Sequence, residues 1–421
     1  MADTPDIRER VVERAKRCHA AARFLAYSTT DQRNRALLRA AELLRERTAD
    51  LLAANAVDMD RGAEKGLSSA MLDRLKLSDK RIEEMAVACE EVAALDDPIG
   101  DVLEEWTRPN GLRIQKVRVP LGVVGIIFES RPNVTIDAAS LCLKAGNACL
   151  LRGGSEAISS NIALAAIMAE ACRDAGLPDG TVEILDFTDR EAVGVMSRLD
   201  EYLSLIVPRG GAGLVRAVSE NASVPVLKHE RGLTQMYIDE TCDLAMAVSL
   251  VHNAKVQRPG VCNAVENLFV HEGNVPALQA VVTDLQEAGV EIRGDLRTCE
   301  LNSGCVCATD EDFDTEYLDL ILAVRVVESM DEALDLIARH SSGLTEAIIT
   351  DNEENAERFL REVDSACVYW NASTRFTDGG QFGFGAEIGI STAKIHARGP
   401  MAVRELTIYK YVCRGDGQVR T

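Results

Sequence analysis

From Val119 onward the chain alternates short β-rich runs with helical stretches, and this alternation narrows the choice of fold more than any other feature. Runs at 122–128, 148–152, 182–186, 203–208 and 224–228 read as strands. The stretches at 133–144, 156–175, 190–199 and 213–221 read as helices between them. Five strands joined by helical crossovers imply a parallel, doubly wound sheet with its binding crevice at the strand C-terminal ends. A second α/β unit follows, with a helix at 244–254, strands at 265–270 and 321–327, a helix at 332–339 and a last strand at 367–370. Upstream, to about residue 97, the pattern is helical. Leu37, Leu38, Ala41 and Leu44 mark one helix; Ile82, Met85, Ala86, Cys89 and Val92 form the apolar stripe of another, with Ser78 as its N-cap.

At 421 residues the chain exceeds what one core supports, so two domains plus an appendage are expected. Apolar residues make up 47% and aromatics 4%, a composition that suits Ala/Val/Leu-rich helices layered on a buried sheet. A net charge of −21 excludes nucleic acid and anionic membrane as partners. An anionic substrate then needs local positive charge, for which Arg131, Arg152, Arg209, Lys255, Arg258 and Arg375 are the candidates. The twelve cysteines are scattered from Cys18 to Cys413 through apolar segments, and no signal-peptide pattern opens the chain. Both features predict thiols in a cytoplasmic protein. Cys305-Val306-Cys307 comes closest to zinc-ligand spacing but lacks a second pair, so no structural metal is expected.

Two loops at strand ends carry glycine where a helix begins: Arg152-Gly153-Gly154-Ser155 and Arg209-Gly210-Gly211-Ala212-Gly213. Neither matches G-x-G-x-x-G, so each is either a phosphate cradle or an ordinary βα turn. Cys262 follows a helix end and a Pro259-Gly260 turn, with Lys255 and Arg258 near enough in sequence to lower its pKa. It is either a nucleophile or a small buried hydrophobe. The polar, glycine-rich stretch 371–400 is a functional loop or an exposed connector, and it contains Arg375, Phe376, Phe382 and Phe384.

Several segments resemble one known family. They are Val119-Pro120-Leu121-Gly122-Val123-Val124-Gly125, Phe128-Glu129-Ser130-Arg131-Pro132-Asn133-Val134-Thr135, Pro208-Arg209-Gly210-Gly211, Asn371 to Gly379, Gly385-Ala386-Glu387 and His396-Ala397-Arg398-Gly399-Pro400-Met401. In order and over essentially the whole chain, these resemble the gamma-glutamyl phosphate reductases, or glutamate-5-semialdehyde dehydrogenases, of the aldehyde dehydrogenase superfamily, which serve proline biosynthesis. The resemblance implies an α/β fold with a Rossmann-type parallel-sheet cofactor domain, an α/β catalytic domain and a small β oligomerisation arm. The corresponding ranges are 1–110 and 120–238 for the nucleotide-binding domain, 239–400 for the catalytic domain, and 111–119 with 401–421 for the arm.

The same resemblance implies a chemistry. Cys262 attacks the acyl phosphate of L-glutamyl 5-phosphate, phosphate leaves a thioester behind, and hydride from NADPH releases glutamate 5-semialdehyde. Asn133 supplies the oxyanion amide, its alternative role being to cap the helix that starts there. Arg152 stands where the superfamily's Lys contacts the adenosine ribose, and as a guanidinium it favours NADPH over NADH. Gly153, Gly154, Ser155, Pro208, Arg209, Gly210 and Gly211 complete the cofactor loops. Glu316 either holds the nicotinamide ribose or is a solvated charge. Arg131, Asn371, Ser373 and Arg375 are assigned to the substrate's carboxylate and phosphate.

A homo-oligomer, dimer or tetramer, is implied, with strand 111–119 and segment 406–412 as its arm; the alternative is an edge hairpin within one subunit. Functional coupling to glutamate 5-kinase is implied as well. The chain departs from the family at Thr234-Gln235, where Cys-His is usual, and at Leu344, where His is usual. Two rivals remain open: a hydrolytic aldehyde dehydrogenase, against which His229 stands where the base Glu is expected with Glu230 beside it, and a non-catalytic homologue.

Overall fold

Five helices precede the first strand, Ile7–Leu25, Thr30–Glu46, Thr48–Glu64, Ser69–Leu75 and Asp79–Ala94. The computed structural model describes residues 6–228 and 231–420. In the fifth helix Ile82, Met85, Ala86, Cys89 and Val92 are buried, and the Ser78 hydroxyl accepts from the Arg81 N–H as its cap. The sequence pattern identifies both.

Packing divides the chain into two units. The first comprises Met1–Lys228, Gly383–Gly389 and Met401–Thr421. Its strands are β1 (Val102–Thr107), β2 (Arg113–Pro120), β3 (Val123–Phe128), β4 (Ala148–Gly153), β5 (Val182–Ile184) and β6 (Leu205–Arg209). The order β5-β4-β3-β6 makes a parallel sheet whose two central strands are buried at every residue. Strands covered on both faces must be apolar throughout, which is why these runs stand out in the sequence. The crossover helices are Val134–Lys144, Ile158–Asp174 and Ala212–Asn221, together with the short Glu191–Met196.

The expected fifth strand at 224–228 is reduced to one parallel bridge between Ile206 and Val226. Pro225 has no N–H to donate, so the ladder cannot extend through it. β1 and β2 pair antiparallel, and β2 also pairs antiparallel with the strand Thr407–Arg414, in a register that runs from Pro120 opposite Thr407 to Arg113 opposite Arg414. The arm sheet therefore includes β1, which lies within the range 1–110 expected for the nucleotide-binding domain.

The second unit comprises His229–Phe382 and Ile390–Pro400. Its strands are β7 (Thr234–Ile238), β8 (Val265–His271), β9 (Glu291–Gly294), β10 (Val306–Cys307), β11 (Ile321–Val327), β12 (Thr345–Ile349) and β13 (Cys367–Trp370). They form one sheet in the order β10-β9-β11-β8-β7-β12-β13, with parallel pairing. β7 thus lies in this sheet, although the expected domain boundary falls after it, at residue 238. Within 371–400 no helix or strand exceeds three residues, and Phe376 and Phe382 are exposed.

One interaction braces the centre of this unit. Lys255, at the end of the helix Leu244–Val256, sets its Nζ 2.7 Å from Oε2 of Glu266 on β8, and both side chains are wholly buried. The Leu318 N–H donates to the other carboxylate oxygen at 3.2 Å. Helix, strand and the 316–318 segment are thereby tied together around the turn that carries Cys262. Replacing Lys255 by Met leaves a buried carboxylate without its cation and is expected to cost about 3–5 kcal/mol in urea unfolding. Adding Glu266→Leu removes that stranded charge, so the double variant recovers much of the loss. A double variant no more stable than Lys255→Met would show that the pair is not the brace.

Candidate active site

Cys262 is half-buried in the turn between the helix Leu244–Val256 and β8. Its backbone is seated against the start of β7. A Cβ on Gly232 would lie 2.4 Å from the Cys262 carbonyl oxygen and 2.5 Å from its Cα, so no side chain fits there. The Thr234 hydroxyl donates to that same carbonyl oxygen at 3.0 Å. On the other side, the Gly232 N–H donates to Glu316 Oε1 at 2.8 Å. Glu316 is half-buried and not a solvated charge; burial raises its pKa, opposed by the Gly232 N–H and by Arg231. The expectation that Lys255 acts on the thiol is corrected, because its charge is committed to Glu266.

The segment after β13 locks onto this turn. Ser373 Oγ donates to Asn253 Oδ1 at 2.6 Å and accepts from the Arg375 N–H. Thr374 Oγ1 donates to the Asn263 carbonyl at 2.8 Å, and Asn263 Nδ2 donates to the Thr377 carbonyl at 2.8 Å. Arg375 reaches across with Nε on Gln257 Oε1 at 2.9 Å and Nη1 on Asn263 Oδ1. Burial lowers its pKa and Arg258 adds to this, while Cys262 and Asp378 oppose. The structure thus brings Arg375 and Ser373 to the Cys262 turn. Asn371 is used differently: at φ 54° its side-chain amide accepts from the Thr350 N–H and donates to the Thr350 carbonyl, pinning the chain.

In the first unit, Asn133 precedes the helix Val134–Lys144 but makes no side-chain cap. Its Nδ2 donates instead to Asp137 Oδ2 at 2.8 Å, which removes the capping alternative. Burial pushes the Asp137 carboxyl up to about 6, against the Asn133 hydrogen bond and Arg209. Side chains crowd both glycine loops, although Gly211 itself is open. A Cβ on Gly153 would lie 2.1 Å from Asn161 Nδ2, and one on Gly154 would lie 2.2 Å from Glu156 Oε1. A Cβ on Gly210 would lie 2.5 Å from Glu129 Oε2, the oxygen that accepts from the Gly211 N–H at 3.1 Å.

These loops border two cavities. One, of about 650 Å³, is lined among others by Arg61, Lys65, Arg152, Gly154, Ser155 and Arg190. The other, of about 320 Å³, is lined by Arg74, Arg131, Arg209, Gly210 and Gly211, and shares Glu129 and Ser130 with the first. Arg152 is buried, donates through Nη2 to the Thr188 carbonyl at 3.2 Å, and leaves its Nε without a hydrogen-bond partner. A glycine-bordered, cation-lined space of this size suits a dinucleotide with phosphate groups. Arg61, Lys65, Arg74 and Arg190 are absent from the sequence-based set, since on their helices they read only as surface charge. Among the described residues no group of three or more His, Cys, Asp or Glu is placed to hold a metal ion. No described helix is long and apolar enough to cross a membrane.

Comparison with known proteins shows the family and the fold. The model of the aldehyde dehydrogenase family matches residues 1–295 and 310–412. A gamma-glutamyl phosphate reductase of Caldanaerobacter subterraneus subsp. tengcongensis is 54% identical over 413 residues, covering 97% of this chain and 99% of the relative. The crystal structure of gamma-glutamyl phosphate reductase from Thermotoga maritima superposes with a TM-score of 0.96 at 50% identity, covering 98% of this chain and all of the other. An acetylating aldehyde dehydrogenase from Geobacillus thermoglucosidasius shares the fold at 20% identity and a TM-score of 0.68, over 99% of this chain and 98% of the other. The chain therefore belongs to the aldehyde dehydrogenase family and, within it, to the gamma-glutamyl phosphate reductases.

Proposed function

We propose that the chain reduces L-glutamyl 5-phosphate to L-glutamate 5-semialdehyde and phosphate in proline biosynthesis, with NADPH as reductant. The observation that carries this reading is the half-buried Cys262, held by Gly232 and Thr234 with Glu316 and Arg375 around its turn. Cys262 Sγ attacks the acyl carbon, the carbon–oxygen bond to phosphate breaks, and a thioester remains. Asn133 Nδ2 carries two N–H bonds; Asp137 takes one, which orients the amide and leaves the other for the oxyanion. Arg375, Arg131 and Ser373 bind the substrate's carboxylate and phosphate. A reduced nicotinamide cofactor, when bound, supplies the hydride that releases the aldehyde. Arg152 reads its 2′-phosphate, the 153–155 and 208–211 loops hold its remaining phosphates, and Glu316 holds its nicotinamide ribose. Glutamate 5-kinase is the functional partner that makes the acyl phosphate.

Phosphate, not water, resolves the thioester in the reverse direction. His229 and Glu230, on which the hydrolytic alternative turns, lie outside the described residues. Oxidation of glutamate 5-semialdehyde with NADP⁺ is therefore expected to require phosphate or arsenate. Without either, NADPH appears in a burst of about one equivalent per site and then stalls, and Cys262→Ala shows no burst. Sustained production of free glutamate without phosphate would make the protein a hydrolytic dehydrogenase.

Arg152→Ala is expected to raise KM for NADPH about tenfold more than KM for NADH, since only the former offers a phosphate to the guanidinium. Equal losses in steady-state kinetics would give Arg152 a loop-supporting role.

A homo-oligomer is part of the same proposal. It is supported by the arm, where Trp106, Tyr409 and Tyr411 are exposed and the eight-residue strand Thr407–Arg414 ends the sheet. Such an open edge invites pairing with another chain. Sedimentation equilibrium is expected to give a mass of at least twice 45.7 kDa; the mass of a single chain would make the arm an edge hairpin.

A further inference from the structure

Three cysteines outside the proposed chemistry converge at one margin of the second unit's sheet. Cys305 and Cys307 accompany the edge strand β10, and Cys299 lies on the helix Leu296–Leu301. Cys307 stands opposite Gly294 in the parallel pairing of β10 with β9. A Cβ on Gly294 would point at Cys299 Sγ, 3.3 Å away, and that sulfur also lies 3.4 Å from the Gly294 carbonyl oxygen and 3.8 Å from that of Val306. Residues paired across a ladder project from the same face, so the Cys307 side chain rises beside the Cys299 sulfur. Thr298 fills the space nearest Gly294, with its Cγ2 2.8 Å from that Cβ position, and the Cys299 sulfur lies just beyond it. Cys307 is exposed and Cys299 half-buried, so one sulfur meets solvent while the other waits behind it.

We propose that Cys299 and Cys307 are an oxidisable dithiol that a hydroperoxide converts into an intramolecular disulfide. The Cys307 thiolate attacks the peroxide oxygen, the O–O bond breaks, and a sulfenic acid forms while the departing oxygen leaves as water or alcohol. Cys299 Sγ then attacks the Cys307 sulfur, loses its proton, and expels the sulfenic oxygen as water. Two thiols lose two electrons and the peroxide gains them. Burial, with Cys307 adding to it, pushes the Cys299 thiol up to about 11, which keeps its proton in place; Cys307 is the sulfur that solvent and peroxide reach first. Cys305 is the poorer partner. It is separated from Cys307 by one residue of extended chain, about 6.6 Å between Cα atoms and near the upper limit for a disulfide. Its sulfur also approaches Gln286 Nε2 at 4.0 Å. The bond would tie the helix Leu296–Leu301 to an edge strand held by only two residues.

The test is peptide mapping of the full chain, treated with near-stoichiometric hydrogen peroxide, alkylated and digested without reductant. The expected product is a cross-link between Cys299 and Cys307, with a mass loss of about 2 Da that dithiothreitol reverses. Cys305→Ser keeps the cross-link, whereas Cys299→Ser stops at a Cys307 sulfenic acid that dimedone traps. Mapping the unaltered protein decides the matter even if Cys299→Ser fails to fold. A link from Cys305 to Cys307, or recovery of both Cys299 and Cys307 as alkylated thiols while Cys262 is oxidised, would overturn the proposal.

Discussion

The turn that carries Cys262 depends on an ion pair buried away from solvent. Lys255 and Glu266 sit on either side of Cys262 in sequence, one on the incoming helix and one on the outgoing strand, and their contact fixes the separation of the turn's two ends. Glu266 has a second task through the Leu318 N–H, which places a residue at φ 54° two positions beyond Glu316. Gly232, two residues before β7, completes the arrangement, touching the Cys262 backbone and donating to Glu316. A buried pair of this kind is costly to desolvate and is not the cheapest way to stabilise a core. Its value here is geometric, because one carboxylate holds both the thiol's turn and the segment bearing Glu316.

The parts legible in the sequence are those where apolar residues run together, whatever their burial. β3 is apolar throughout and β4 nearly so, Arg152 being its exception, and β11 and β13 match their expected ranges residue for residue. β1, β7, β9, β10 and β12 were among the strands that went unread, the last three for identifiable physical reasons. β9 carries Glu291 and Arg293, which pair with each other; β10 has two residues; and β12 buries a carboxyl, Glu346, where the pattern asks for an apolar side chain. The site was less legible than the fold. Cys262, Asn133 and Glu316 had credible structural alternatives until the resemblance was added, and the contacts of Thr234 and Asn371 follow from strand register and backbone conformation that sequence spacing does not encode.

Charge shows the same separation between pattern and place. A chain with net charge −21 is a poor general binder of anions, yet seven cations line the two cavities beside the glycine loops. Elsewhere arginines are absorbed by acidic neighbours, as Arg45 is by Glu83 and Glu90 and Arg39 by Glu42, Glu46 and Asp174. Arg152 differs in being buried, held by a carbonyl rather than a carboxylate, and still having an unpartnered Nε. Burial disfavours the Arg152 cation, and Glu156, Glu129 and Asp189 offset this only in part. A bound phosphate would relieve that cost, which supports the proposed role of Arg152.

The departures from the family pattern can be placed in the same physical terms. Thr234 stands where cysteine is usual, and its hydroxyl donates to the Cys262 carbonyl, so the substitution keeps a small donor at the contact. Gln235 and Leu344 stand where histidines are usual, and both border Glu346: Gln235 is its register partner on β7, and Leu344 precedes it by two residues. Glu346 is wholly buried, with Ser341 Oγ donating to Oε1 at 2.6 Å, and burial pushes its carboxyl up to about 7 against Ser341, Ser365 and Arg398. A protonated histidine beside it would favour the carboxylate; neutral Gln235 and Leu344 do not. The three changes therefore act on how a buried carboxyl holds its proton and on how the thiol's backbone is seated, and they leave Cys262, Asn133 and Glu316 themselves in place.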